Sequence, residues 1–68
     1  MQYYEAIRKA RIEAGLTIKQ LGEMIGIKES AMSRYERGQS KPSILVVIAI
    51  ADALNVSLDY LVGRSNKR

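Results

Sequence analysis

The chain has 68 residues, 47% of them hydrophobic, with eleven Lys and Arg against seven Asp and Glu. That length supplies one small core and not two, since a domain of this size buries only about 60% of its unfolded surface. Cys and His are both absent, which removes disulfides, ordinary zinc sites, thiol nucleophiles and imidazole bases together.

Apolar positions recur three and four apart and no segment alternates with period two for long, so the chain reads as all-α: a compact five-helix domain over residues 1–63. The first helix, Tyr3 to Ala14, places Ile7, Ala10 and Ala14 on one face and stops at Gly15. The second has the strongest start signal. Thr17 and Gln20 stand at capping-box spacing, and Leu16 before the cap is placed to staple onto Leu21. It runs from Ile18 to Ile25, with Leu21, Met24 and Ile25 expected in the core, until Gly26 turns the chain. The third spans Glu29 to Arg37 and ends at Gly38; Met32 and Tyr35 face inward, while Glu29, Ser30, Ser33, Arg34 and Arg37 share the polar side. Pro42 and the cap Ser43 open a fourth helix to Leu54, which Asn55 closes. Ser57 caps a short fifth, Leu58 to Val62, and residues 64–68 read as a basic flexible tail.

The net charge of +4 is weak evidence by itself, because Arg64, Lys67 and Arg68 supply much of it. Its distribution says more. Residues 28–41 carry Lys28, Arg34, Arg37 and Lys41 against Glu29 and Glu36, whereas 42–63 carry only Asp52 and Asp59. One basic side and one acidic side suit a binder of phosphate. Two short helices joined by a tight turn, the second with a polar face, are what insertion into a DNA major groove requires. Gly22 lacks a side chain where helices 2 and 3 are expected to cross, and Gly26 permits the turn.

These residues resemble a known family, the Cro and phage-repressor type of helix-turn-helix proteins, also called the xenobiotic response element family. The match runs from about Ile7 to Gly63 and rests on Ala14-Gly15-Leu16-Thr17, Leu21, Gly26-Ile27, Ser33-Arg34-Tyr35-Glu36-Arg37-Gly38, Pro42-Ser43 and Asn55-Val56-Ser57-Leu58-Asp59-Tyr60-Leu61. The resemblance implies a dimeric or dimerising domain that binds double-stranded DNA, with helix 3 in the major groove and a role in transcriptional repression or switching. A homodimer would match an inverted-repeat operator.

Carried over by position, the family's base-reading sites fall on Glu29, Ser30 and Arg34, flanked by Lys28 and Ser33. Arg suits the guanine O6 and N7 pair, Glu accepts from a cytosine amino group and Ser serves either role. Glu29 equally suits the positive end of a helix dipole, and Arg34 equally suits a solvated face. Phosphate contacts are expected from Thr17 and Lys19 at the start of helix 2 and from Arg37, Gln39, Ser40 and Lys41 beyond helix 3. Two positions depart from the pattern: Ile18 stands where the family commonly has a backbone-binding Gln, and Lys28 where a Ser or Thr cap is usual. The family also pairs the positions of Arg11 and Glu36 as a structural ion pair between helices 1 and 3.

Helix 4 is apolar around its circumference from Ile44 to Ala51, although a surface helix should have a polar side. Ile44, Val47, Ile48, Ala51 and Leu54 are assigned to the core, which leaves Leu45, Val46 and Ala49 as a candidate dimer or partner surface; a merely greasy helix is the plainer alternative. Helix 5 with the tail is an equal contributor to any interface.

An enzyme is disfavoured, because the remaining hydroxyls, amines and carboxylates show no base–nucleophile arrangement. No cofactor, metal or small-molecule substrate is expected. The eight-residue apolar run is far short of the roughly 20 residues needed to cross a bilayer, and the expectation is a soluble cytoplasmic protein. The length leaves no room for a ligand-sensing or self-cleaving domain, so regulation is expected through abundance, dimerisation or a partner. The competing reading is a protein-interaction module on the same fold, such as an antitoxin or a bridging factor.

Overall fold

The computed structural model describes residues 2–63, so the expected tail lies outside the described residues. Five helices follow in order: α1 (Tyr3–Glu13), α2 (Ile18–Ile25), α3 (Glu29–Glu36), α4 (Ile44–Leu54) and α5 (Leu58–Leu61). The described residues contain no strand. Three helices end one residue earlier than the spacing predicts, since Ala14, Arg37 and Val62 are the C-caps.

Local chemistry sets the helix starts. Gln20 donates its backbone N–H to Thr17 Oγ1 at 3.0 Å and the Thr17 N–H is accepted by Gln20 Oε1 at 2.8 Å, the reciprocal box that the spacing predicts. Ser43 Oγ accepts from the Val46 N–H at 3.3 Å and Ser57 Oγ from the Tyr60 N–H at 3.0 Å. At the start of α3, Lys28 occupies the cap position with no side-chain hydrogen bond.

The most deeply buried large side chains are Ile7, Leu21, Met32, Ile50 and Leu61, one from each helix. Around them α1 packs on α3, α4 and α5, while α2 packs on α3 and α4. α3 is thus backed by α1 and α2, leaving its polar side to solvent. The described helices include none long and apolar enough to cross a membrane.

Several core assignments need correction. Ala14 is exposed at the end of α1 and Ile25 is only half-buried. Met24 is 55% exposed, because the inward face of α2 is centred between Leu21 and Gly22, both buried, which rotates Met24 outward. In α4 the buried stripe is Val47, Ile50, Ala51 and Leu54, a spacing of three and four residues. Ile44 and Ile48, assigned to the core from sequence, are instead 60% and 40% exposed. An all-apolar helix carries no phase information, so the sequence could not say which stripe turns inward.

Candidate nucleic-acid interface

The turn between α2 and α3 fixes how the second helix is presented. Gly26 adopts φ +75°, a left-handed conformation open to glycine at little steric cost, and the Ile27 N–H donates to the Gly22 carbonyl at 2.8 Å. A Cβ on Gly22 would collide with the Ile27 carbonyl oxygen and lie 3.3 Å from Met32 Cγ. Gly22 therefore makes room chiefly for the turn itself.

α3 is also tied from behind by an ion pair. Arg11 Nε donates to Glu36 Oε1 at 3.0 Å and Oε2 at 2.7 Å, while its Nη1 donates to the Leu16 carbonyl at 2.7 Å. The two side chains are 11% and 2% exposed, so the charges meet largely out of water. One guanidinium joins α1, the segment entering α2, and α3.

On the outer side, Lys28, Glu29, Ser30 and Arg34 are exposed and Ser33 is half-buried. Thr17 and Lys19 are exposed at the start of α2, as are Arg37, Gln39 and Lys41 after α3, with Ser40 half-buried. Among the described residues, Lys19, Lys28, Arg34 and Lys41 carry no ion pair with an acidic side chain. Arg37 folds back, its Nε donating to the Ser33 carbonyl at 3.4 Å. Ile18 is half-buried and packs against the core, so this departure from the family pattern adds apolar contact where a clamp was to be sought. With no side chain capping α3, its first N–H groups are left to solvent or a ligand.

Beyond α3 the chain turns at Gly38, φ +74°. The Gln39 N–H donates to the Arg34 carbonyl at 3.0 Å and the Gly38 N–H to the Tyr35 carbonyl at 3.2 Å. The Tyr4 ring lies against this glycine: a Cβ there would stand 2.9–3.1 Å from three ring carbons. Sequence reasoning missed the contact, which spans most of the domain and leaves no local signature.

The surface assigned to Leu45, Val46 and Ala49 changes membership. Leu45 is 75% exposed, but Val46 packs against the core and Ala49 is half-buried. The exposed aliphatic group is Ile44, Leu45 and Ile48.

A family model described as Helix-turn-helix (HTH_3) matches residues 7–61. Over 67 residues the chain is 36% identical to the uncharacterized HTH-type transcriptional regulator YqaE of Bacillus subtilis, covering 97% of this chain and 58% of that protein. It is 34% identical over 64 residues to the cryptic phage CTXphi transcriptional repressor RstR of Vibrio cholerae, covering 94% of this chain and 57% of that one. The chain thus spans little more than half the length of these two curated relatives. Among solved structures, the P22 c2 repressor in complex with a synthetic operator superimposes with a TM-score of 0.88 at 31% identity, over 96% of this chain and 98% of that one.

Proposed function

The chain belongs to the HTH_3 helix-turn-helix family, and on that premise we propose that it is a sequence-specific DNA-binding transcriptional regulator of the repressor kind. The observation that carries the reading is the outer side of α3, where Lys28, Glu29, Ser30 and Arg34 stand exposed beside unpaired cations on both flanking segments. In this reading α3 lies in the major groove. Arg34 chelates a guanine, Glu29 accepts from a cytosine amino group, Ser30 adds a further base contact, and Lys28 and Ser33 flank them. Thr17, Lys19, Arg37, Gln39, Ser40 and Lys41 hold phosphates and set the register without reading sequence.

The same reading pairs two copies on an inverted repeat, with half-sites about 34 Å apart. Its support is the exposed Ile44, Leu45 and Ile48 of α4, three aliphatic side chains that a second copy would remove from water. The role requires no catalytic step and no cofactor, and the reading places it in the cytoplasm. Selection of binding sites from a randomised duplex library tests it. Wild type should yield a short inverted repeat, and Arg34→Ala should lose preference at one base pair of each half-site, worth about 1–3 kcal/mol. A consensus that Arg34→Ala and Glu29→Gln both leave unchanged would defeat the base-reading assignment.

A further inference from the structure

The loop from Gly38 to Pro42 runs beside the first turn of α1, which packs against its beginning and faces its end across an open cavity. At its beginning, the Tyr4 ring lies over Gly38, close enough that any Cβ there would meet Cε1, Cζ and Cδ1 at 2.9–3.1 Å. At its end, Gln2 and Tyr3 share a shallow cavity of about 380 Å³ with Lys41, Pro42, Val47 and Val62. The two aromatic rings brace each other edge to face, with centroids 5.6 Å apart and an interplanar angle of 86°. Both tyrosines are half-buried.

We propose that Tyr3 and Tyr4 form an aromatic clamp that presets this loop for phosphate binding, which makes Tyr4 a positioning residue for DNA. The inference rests on the reading above, that Gln39, Ser40 and Lys41 meet the phosphate backbone. Between Arg37 and Ser43 the chain has no regular structure, so a loop held only by its two helix ends would have to be ordered when DNA arrives. Ordering costs affinity, and a loop already fixed avoids that cost. The flat ring matters because Gly38 offers a bare α-carbon in a left-handed turn, φ +74°, and the ring face fills the space a Cβ would take. Phosphate contacts carry no base information, so the clamp acts on affinity and leaves the consensus alone.

The test measures duplex binding by fluorescence anisotropy for wild type, Tyr4→Ala and Tyr4→Phe, with amide hydrogen exchange of the free proteins alongside. Tyr4→Ala should bind both the selected and a scrambled duplex about tenfold more weakly, whereas Tyr4→Phe, which keeps the ring, stays within about twofold of wild type. In Tyr4→Ala the hydrogen-bonded amides of Gly38 and Gln39 should exchange faster while those of Leu21 and Met32 keep their protection. Should Tyr4→Ala not fold, Tyr4→Leu takes its place, retaining apolar bulk without the planar ring. Unchanged exchange at Gly38 and Gln39 would overturn the clamp, as would a Tyr4→Phe protein as weak as Tyr4→Ala, which would transfer the effect to the hydroxyl. If wild type binds no duplex, the DNA reading falls and the exchange data still decide the clamp.

Discussion

The Arg11 guanidinium reaches two acceptors that belong to different parts of the fold, the Glu36 carboxylate and the Leu16 carbonyl. Removing Arg11 leaves the Glu36 carboxylate, 2% exposed, with no charge to neutralise it. Arg11→Ala should therefore lower unfolding free energy by about 3–5 kcal/mol in urea denaturation, without changing which sequence is selected. A variant of ordinary stability that has lost DNA binding would move Arg11 from the structural to the binding machinery. Gly22 gives a second test, because Ala is the better helix former by roughly 1 kcal/mol, yet its methyl would collide with the Ile27 carbonyl. Gly22→Ala should destabilise by about 1–3 kcal/mol, the range for overpacked sites, and a stabilised variant would show that the turn yields freely. The two positions are not equally legible in the sequence. Gly22 stands out as a costly glycine inside a helix, whereas Arg11 and Glu36, 25 positions apart, are linked only through the family resemblance, since no periodicity connects them.

At the scale of elements, what was written locally could be read and what depended on packing phase could not. The capping box of α2 and the Ser caps of α4 and α5 are contacts over three residues, and each was visible as a spacing. The polar side of α3 was visible for the same reason. Helix α4 was legible as a helix but not in orientation: Ile44 and Ile48 were as apolar as Val47 and Ile50, and only packing against the other helices chose between them. The contact of α1 with Gly38 had no local trace at all. The division of labour between α3 and its following loop makes a prediction at this scale. Lys41→Ala should weaken binding to every duplex by a similar factor and reduce the salt slope by about 2, one phosphate contact from each of two copies at about 0.9 apiece, whereas Arg34→Ala should act on the selected site alone. Binding titrations on selected and scrambled duplexes at several salt concentrations separate the two; a sequence-dependent loss from Lys41→Ala would place the loop among the base readers.

The described residues form a small body, 28 × 22 × 19 Å, with two surfaces of different chemistry: the cationic flanks of α3 and the aliphatic Ile44, Leu45 and Ile48 of α4. If the second surface joins two copies, Leu45→Glu or Ile48→Glu should yield a monomer by sedimentation at concentrations where wild type sediments as a dimer, with weaker binding to an intact inverted repeat. A monomeric wild type would assign these residues another partner or none. A protein-interaction module on the same fold would share the helices, the core and this apolar surface, but would have no reason to release counterions from a duplex. Salt dependence therefore tests the central claim most directly. With Lys19, Arg37 and Lys41 on phosphates in each of two copies, log K for the selected duplex should fall against log[salt] with a slope of about −5, at about −0.9 per phosphate neutralised. The selected duplex should stay ahead of a scrambled one throughout. An affinity indifferent to salt, or equal for the two duplexes, would contradict the account.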